Sequence, residues 1–416
     1  MNQTTEDLPE LPTSANGEVR VSVRGLWKVF GPAAGPDVGE TLEDKTKDQV
    51  QDEMDSVLAL HDVSFDVHQG ETFVVMGLSG SGKSTLVRCL IRLIEPTVGE
   101  VVIDGEDILS YTEEELTQAR RQKTGMVFQY FGLLPHRTVI DNVAWGLEVQ
   151  GVPRDDRRER AAELLRIVGL DGWEDYRPAA LSGGMQQRVG LARALACDPE
   201  ILLMDEPFSA LDPLIRRDMQ NELMRLQEQM HKTIIFITHD LAEATKIGSR
   251  IAIMRDGAIV QIGTPEEIMA NPADDYVADF TRDVRTSSVV TVGYVMERCG
   301  VLLKPTTTSR DALAQLESDG VDAAFVVAED GAYRGEICRE EARNAAANGN
   351  GTIEHAVSRR CEPVLASQCL EDALSKAWPY EGKVPVVDDE ERLVGMVERD
   401  VLAEAVFSEE REEDGA

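Results

Sequence analysis

The chain contains 416 residues, which exceeds the length that one hydrophobic core usually organises, so two or three domains are expected. Its 76 acidic and 42 basic residues give a formal net charge of −34. This charge opposes a nucleic-acid partner, because phosphate backbones would be repelled at long range. The sequence has no run of about 18 apolar residues, the length needed to span a bilayer, so any transport role would require separate membrane subunits.

The use of cysteine and lysine indicates the cellular environment of the protein. The six cysteines form no C-x-x-C pair, which is typical of reduced cytosolic thiols rather than of a disulfide framework or a metal site. The start, MNQTTEDLPELPTS, lacks the basic and apolar regions of a signal peptide. Ten of the 42 basic residues are lysine. Acid excess with scarce lysine resembles the proteins of organisms that keep molar salt in the cytoplasm; an ordinary acidic protein with solvated charged faces is the alternative.

Near the N-terminus, two strands are predicted on either side of a polar insertion. Residues 1–17 are polar and acidic with two prolines, and we expect a disordered tail there. From Glu18, EVRVSVRGLWKVF alternates as a strand does, and strand character resumes with VLALHDVSFDVHQGETFVVMG from Val57. Between them, residues 31–56 are polar, and their acidic second half, LEDKTKDQVQDEMDSV, is expected to form a short exposed helix.

A phosphate-binding loop is predicted directly after the second strand region. GLSGSGKST fits the pattern G-x-x-x-x-G-K-[ST]. Glycines let backbone N–H groups curl around an anion, and the N-terminus of the following helix directs its partial positive charge at the phosphates. Lys83 would reach the β- and γ-phosphates, and the Ser84 hydroxyl would ligate Mg²⁺. The predicted contact residues of the loop are Gly77, Ser79, Gly80, Ser81, Gly82, Lys83, Ser84 and Thr85.

Two later apolar runs, ILLMDEP and TIIFITH, predict short strands inside a parallel sheet. With helices expected at roughly 113–123 and 154–168, they indicate an α/β nucleotide-binding core. Asp205 and Glu206 end the first run, at the edge where ligands bind in open α/β sheets. We expect Asp205 to hold Mg²⁺ and Glu206 to polarise the attacking water as general base. A pair of capping carboxylates is the alternative interpretation.

The last part of the chain contains an internal repeat. Residues 324–340, AFVVAEDGAYRGEICRE, align without gaps with residues 384–400, VPVVDDEERLVGMVERD. The matched glycines are Gly335 and Gly395, and Asp-Ala-Leu triplets recur upstream of both segments. Each copy predicts a helix, a strand, a turn, a strand and a helix.

A second motif, LSGGMQQR at residues 181–188, resembles the signature sequence of ABC-type ATPases. This resemblance implies an α/β ABC-type phosphate-loop ATPase domain over residues 18–285, with a helical subdomain at about 130–190. It also implies that Ser182, Gly183 and Gly184 bind the γ-phosphate of ATP held by a second copy of the chain. Hydrolysis would then require a head-to-tail homodimer.

The same resemblance assigns roles to residues outside the two motifs. Gln129, in VFQYFGLLP, matches the glutamine that contacts Mg²⁺ or the lytic water and relays nucleotide state to the membrane subunit. His239, in FITHD, matches the switch histidine that contacts the γ-phosphate, and SALD, ending at Asp212, resembles the D-loop at the dimer interface. Phe30 is expected to stack on adenine, with Trp27 as the rival aromatic. For Gln129 the alternative is a surface glutamine, and for His239 it is a structural histidine.

The repeat resembles a tandem pair of CBS domains, an α+β regulatory module. The first would span residues 286–346 and the second 347–408, followed by an acidic tail at 409–416. An ACT-like module, as in methionine-importer ATPases, is the alternative. CBS domains that bind nucleotides commonly carry a threonine where this chain has Cys338 and Glu398. We therefore expect an ionic or allosteric gate, or a dimer clamp, rather than a nucleotide sensor.

The early insertion, GLSGSGKSTLVR, RLIEPTVGEVVIDG and the C-terminal repeat together resemble the ATPase subunits of glycine betaine/proline-type importers, the quaternary-amine osmoprotectant family. This resemblance implies ATP-driven import of a compatible solute by a homodimer at the cytoplasmic face of the membrane. Its partners would be integral permease subunits and an extracytoplasmic substrate-binding protein. The alternatives are another polar amino-acid or methionine importer and a soluble, ligand-regulated ABC ATPase.

Overall fold

The computed structural model describes residues 17–43, 45–129, 132–282, 284–348, 351–380, 382–404 and 406. Residues 1–16 of the expected N-terminal tail and all of the expected tail at 409–416 lie outside the described residues. Contacts within the chain divide it into two units, with the boundary between Phe280 and Thr281. They are called here the N-terminal unit and the C-terminal unit.

The N-terminal unit alternates strands and helices along most of its length. In chain order its elements are β1 (Val19–Phe30), α1 (Val38–Leu42), α2 (Lys47–Met54), β2 (Val57–His68), β3 (Thr72–Met76), α3 (Lys83–Leu90), β4 (Val98–Ile103), β5 (Glu106–Asp107), α4 (Glu113–Gln122), β6 (Thr124–Val127), α5 (Val139–Val143), α6 (Trp145–Val149), α7 (Arg154–Ile167), α8 (Gly183–Ala196), β7 (Ile201–Asp205), α9 (Pro213–Met230), β8 (Thr233–Thr238), α10 (Leu241–Ile247), β9 (Arg250–Arg255), β10 (Ala258–Gly263), α11 (Pro265–Ala270) and α12 (Asp275–Thr281).

Two sheets form the centre of this unit. The first is antiparallel, in the order β2-β1-β4-β5, and the second has the order β10-β9-β3-β8-β7-β6. In the second sheet the neighbours from β9 to β6 are parallel, and β10 runs antiparallel to β9. Every residue of β3, β7 and β8 is buried, as expected for strands covered on both faces. The carboxyl ends of these strands therefore share one edge.

One hydrophobic cluster joins both sheets to α3. It includes Val23 and Phe65 of the antiparallel sheet, Phe73 of the parallel sheet and Leu86 of α3. The rings of Phe65 and Phe73 stack with centroids 5.0 Å apart. Because the same cluster holds β3 and α3, the loop that connects them is fixed at both ends.

The helices predicted at roughly 113–123 and 154–168 are confirmed as α4 and α7. α4 begins with a capping box between Thr112 and Glu115, and α7 has acidic residues in its first turn. Both features stabilise a helix N-terminus. α8, which begins at Gly183, packs against α5 and α7.

The helix expected in the second half of the insertion is confirmed as α2, of whose residues Val50 is the buried one, and the first half contains a further helix, α1, that was not expected. Val38, Leu42 and Val50 are buried in a small cluster with residues of β1 and β2. The polar composition concealed these three apolar positions, which face the sheet while their neighbours face solvent. The insertion is therefore a packed extension of the antiparallel sheet.

The C-terminal unit contains two copies of one arrangement. Its elements are α13 (Thr286–Val289), α14 (Val292–Val295), β11 (Leu302–Leu303), α15 (Ser309–Ser318), β12 (Ala323–Val327), β13 (Tyr333–Cys338), α16 (Arg339–Ala347), β14 (Val364–Leu365), α17 (Leu370–Ala377), β15 (Lys383–Val387) and β16 (Leu393–Glu398). A helical segment follows at residues 399–404.

The two copies share topology and strand register. Each has a three-stranded sheet, β11-β12-β13 or β14-β15-β16, with a parallel pair followed by an antiparallel pair. Ala323 pairs with Cys338, and Lys383 pairs with Glu398 sixty residues later. The internal repeat is thus present in the fold as well as in the sequence.

Candidate functional site

Residues 77–85, which comprise the connection between β3 and α3 and the first residues of α3 and are called here the loop, pack so closely against neighbouring backbone that two positions require glycine. A Cβ on Gly77 would lie 2.3 Å from the Met254 carbonyl oxygen, and one on Gly82 would lie 2.5 Å from that of Ala59. Both glycines have positive φ, 151° and 107°, which side chains disfavour. These contacts fix the curl of the loop.

The inner side of this loop suits an anion. α3 begins at Lys83 with Gly82 as its N-cap, so its first backbone N–H groups have no acceptor within the helix. A Cβ on Gly80 would meet no heavy atom within 4 Å. The Ser81 hydroxyl is buried and has no hydrogen-bond partner in the described part of the chain. The free backbone N–H groups at the start of α3 suit phosphate oxygens.

Three other loop residues with predicted phosphate or magnesium contacts occupy different settings. The buried ammonium of Lys83 donates to the carbonyls of Gly77, at 2.7 Å, and Leu78, at 3.0 Å. Burial lowers the pKa of Lys83, against the opposing influence of Glu206 and Asp205. Ser79 is exposed, and Thr85 lies in the first turn of α3.

Ser84 and Asp205 meet where α3 faces the end of β7. The Ser84 hydroxyl donates to Asp205 Oδ1 at 2.8 Å, and Asp205 is buried. The Arg88 guanidinium lies 3.5 Å from Asp205 Oδ2. Arg88 was missed by the sequence reasoning, although its four-residue spacing from Ser84 places both side chains on one helix face.

Glu206 and His239 lie together at the ends of β7 and β8. His239 Nδ1 is 3.3 Å from Glu206 Oε2, and the side chains of His239 and Glu206 reach solvent, with relative exposures of 56% and 20%. Glu206 has φ 46°, a conformation that non-glycine residues adopt infrequently and that costs conformational energy. Its backbone N–H donates to the Ile237 carbonyl at 3.1 Å. This hydrogen bond to β8 holds the strained residue in place.

Gln129 is connected to this pair through Ser209. The Gln129 side-chain amide donates to the Ser209 hydroxyl at 3.1 Å, and that hydroxyl donates to the Glu206 carbonyl at 3.0 Å. The predicted glutamine therefore lies beside the Glu206 segment. Its side-chain hydrogen bond goes to Ser209 rather than to Ser84 or Asp205.

A buried carboxyl, Glu243, supports the segment that carries His239 and was also missed from sequence. Asp240 caps α10 by accepting from the Glu243 backbone N–H at 3.2 Å. Gln220 of α9 donates to Glu243 Oε1 at 3.1 Å. Burial raises the pKa of Glu243, while hydrogen bonds from Thr238 and Gln220 oppose the shift. These contacts form only in the folded chain, so the sequence alone gave no signal for Glu243.

The two candidate base-stacking residues have opposite environments. Phe30, at the end of β1, is 42% exposed, and Lys28 Nζ lies 4.6 Å from its ring centroid. Trp27 is 4% exposed and packs against His61 with ring centroids 4.4 Å apart. The Phe30 ring is therefore accessible for stacking on adenine, whereas the Trp27 ring is enclosed by its neighbours.

The LSGG residues form the start of α8. Ser182 is the N-cap and accepts from the Met185 backbone N–H at 3.4 Å, and Gly183 is exposed. A Cβ on Gly184 would lie 2.4 Å from the side chain of Ile215. Asp212 caps α9 and accepts from the Ile215 backbone N–H at 3.2 Å. Within the described residues, no hydrogen bond or ion pair joins 182–184 to the loop at 77–85.

The C-terminal unit has a cavity of about 650 Å³ with a charged lining. Glu336, 5% exposed, lies on it with Arg360, Tyr380 and Lys383. The Tyr380 hydroxyl is 2.7 and 2.8 Å from the two Glu336 carboxylate oxygens. Sequence reasoning identified Cys338 of this lining but none of these four residues.

Comparisons with known proteins identify relatives over nearly the whole chain. The family model described as "ABC transporter" matches residues 60–209. The "Glycine betaine transport ATP-binding protein OpuAA" of Bacillus subtilis (strain 168) is 44% identical over 388 residues, covering 93% of this chain and 92% of that protein. The "Trimethylamine N-oxide transport system ATP-binding protein TmoW" of Ruegeria pomeroyi is 52% identical over 287 residues, covering 69% and 84%.

A solved structure supports the same assignment. A dimeric bacterial ABC transporter cassette is 33% identical, with a TM-score of 0.50, and the match covers 59% of this chain and 98% of that one. None of the helices in the described residues has the length and apolar character needed to cross a bilayer. Because the 44% identity extends over nearly the whole of both proteins, the chain belongs to the ABC transporter family and, within it, to the ATP-binding transport proteins.

Proposed function

We propose that the chain is the ATP-hydrolysing subunit of an importer for a compatible solute of the quaternary-amine class, such as glycine betaine. The observation that carries hydrolysis is the convergence of Ser84, Asp205, Glu206 and His239 at one edge of the parallel sheet. The solute class is supported by relatives named for transport of glycine betaine, carnitine and trimethylamine N-oxide. A separate permease, supplied by an extracytoplasmic binding protein, would carry the solute, with this chain at the cytoplasmic face.

Mg²⁺ fits the donor set beside the loop. The Ser84 hydroxyl and Asp205 carboxylate are hard oxygen donors 2.8 Å apart, and Mg²⁺ is typically held by one or two such groups together with substrate phosphates. When bound, the ion neutralises charge that develops on the phosphates. Gln129 would join this set by exchanging its hydrogen bond to Ser209 for one to the ion or the lytic water.

The remaining residues divide the chemistry between binding and proton transfer. The phosphates would lie against the backbone N–H groups of residues 77–85, with Lys83 as their cation. Glu206 would orient the attacking water and accept its proton. His239, 3.3 Å from that carboxylate, would contact the γ-phosphate. Phe30 would stack on adenine.

We propose that two copies of the chain complete each site. Ser182, Gly183 and Gly184 of one copy would contact ATP held by the loop of the other, using the N-terminal N–H groups of α8. Asp212 and the residues before it would lie at the dimer interface. A related cassette has been solved as a dimer, which supports this arrangement.

We also propose that the C-terminal unit is a tandem CBS pair that regulates transport in response to ionic strength. Support comes from the shared register of the two copies. The cavity is lined by Cys338, a weak hydrogen-bond donor, at the position where nucleotide-binding pairs commonly carry a threonine. Arg360 and Lys383 of the same lining are exposed, and salt screens exposed charges, which suits a salt-dependent gate.

Uptake by cells tests the proposed function. In a strain that lacks the gene, ATP-dependent accumulation of labelled glycine betaine should be lost, and the wild-type gene should restore it. A Lys83→Ala gene should not restore it, because the cation expected to face the phosphates is gone. Normal betaine uptake in the deletion strain, with methionine uptake lost instead, would contradict the proposed solute class.

A further inference from the structure

The insertion at residues 31–56 lies beside the proposed path of the nucleotide. It starts after Phe30 and ends before Val57, and these two residues pair across β1 and β2. Two residues further along β2, about 7 Å at the rise of an extended strand, Ala59 contacts the loop at Gly82. A nucleotide that reaches from Phe30 to the loop therefore passes the ends of the insertion.

One side chain of the insertion contacts the loop directly. Lys47, on α2, donates from Nζ to the Gly80 carbonyl oxygen at 2.8 Å. α2 is anchored through Val50, which is buried in the small cluster with β1 and β2. The base of the Lys47 side chain is thus held by a packed helix.

Helix stability does not explain a lysine at this position. Lys47 is the first residue of α2, where the positive end of the helix dipole disfavours a cation. Its partner in the described residues is the neutral Gly80 carbonyl, whereas Lys45, also in the insertion, pairs with Glu53.

The distribution of lysine points to the same region. The chain has ten lysines and a net charge of −34. Lys83 lies in the phosphate-binding loop, Lys28 lies over the Phe30 ring, and Lys47 reaches the loop from the insertion. Three of the ten thus surround the proposed nucleotide site, where a polyanion would be attracted.

We propose that Lys47 binds the phosphates of the nucleotide as a second cation besides Lys83. The flexible lysine stem lets its rotatable ammonium exchange the Gly80 carbonyl for a phosphate oxygen while α2 stays in place. The insertion thereby contributes a nucleotide-binding residue. This inference rests on the proposed function, which places the phosphates in residues 77–85.

Calorimetric titration of the full chain with ATP, ADP and adenosine, with magnesium withheld to prevent turnover, tests the inference. Lys47→Gln should weaken ATP binding by about three- to tenfold, as expected for one solvent-accessible charge-assisted contact. The loss should be smaller for ADP and absent for adenosine. Lys47→Arg should retain most of the affinity. The matched control, Lys45→Gln, removes the same charge from the same insertion and should bind all three ligands like the wild type.

The outcomes separate this inference from the proposed function. Equal ATP affinity in Lys47→Gln and Lys45→Gln, with Lys83→Ala strongly weakened, would overturn the role of Lys47 alone. Weaker adenosine binding in Lys47→Gln would overturn the phosphate contact. Unchanged ATP binding in Lys83→Ala would overturn the proposed location of the phosphates and the inference with it. Thermal melting of each variant checks that the fold is retained.

Discussion

Two carboxylates, one in each unit, are held in opposite ways. Glu206 is partly exposed and has His239 as its side-chain contact at 3.3 Å. Glu336 is buried, and the Tyr380 hydroxyl lies within 2.8 Å of both its oxygens. A carboxylate that takes a proton from water needs an accessible lone pair. Glu206 keeps one, whereas Glu336 is engaged by its neighbours.

The backbone shows the same contrast. Glu206 follows β7 with φ 46°, whereas Glu336 lies inside β13, paired with Phe325 in regular register. Backbone strain is retained where it orients a functional group, and its cost is met by surrounding structure. The proposed general base therefore differs from Glu336 in accessibility and backbone strain, although both residues are glutamates.

The largest effect is expected from neutralising the accessible carboxylate. Glu206→Gln keeps the shape of the side chain but cannot accept a proton, so ATP turnover should fall by at least about a hundredfold while ATP binding is retained. Turnover and nucleotide binding are measured on the same preparation. Glu336→Gln is the matched control and should leave turnover near the wild-type rate. An equal loss of ATP turnover in the two variants would contradict the proposed difference between these carboxylates.

A smaller effect should follow from removing the hydroxyl beside Glu336. Tyr380→Phe leaves a buried carboxylate without its donor, which should cost the C-terminal unit about 1–3 kcal/mol of stability. Differential scanning calorimetry should show an earlier transition, with ATP turnover unchanged. Tyr176→Phe, which changes an exposed tyrosine, is the control and should change neither quantity. A stable Tyr380→Phe chain with impaired turnover would argue against a purely structural role.

The sequence predicted the position of candidate site residues in the fold where local spacing determines it. In the loop at 77–85, glycine is needed at the two positions where neighbouring backbone comes close, so the sequence pattern of the loop is short and local. Asp205 and Glu206 could be placed because they end an apolar strand, and such strand ends meet at one edge of a parallel sheet. The repeat was detectable because matching residues recur sixty positions apart.

What could not be predicted depends on contacts between distant segments. The hydrogen bond from Lys47 to Gly80 joins residues 33 apart, and no local pattern encodes it. The contact between Tyr380 and Glu336 joins the two copies of the repeat. The burial of Val38, Leu42 and Val50 in the insertion was missed because polar residues outnumber them there.

Activity in mixed pairs tests most directly the central claim that each hydrolytic site combines residues 77–85 of one copy with residues 182–184 of the other. Lys83→Ala impairs the part formed by residues 77–85. Gly183→Asp impairs the part formed by residues 182–184, because an acidic side chain at the start of α8 suits the helix dipole but repels phosphate. The two copies would carry different affinity tags, so that assembled transporters containing one of each are isolated.

A pair with Lys83→Ala in one copy and Gly183→Asp in the other retains one intact site if sites are shared. It should show about half the wild-type ATP turnover, as two equivalent sites related by symmetry imply. The control pair, a wild-type copy with a copy carrying both changes, has no intact site and should be inactive. Activity in the control pair together with none in the first pair would contradict the account, because it would mean that each copy hydrolyses ATP with its own residues.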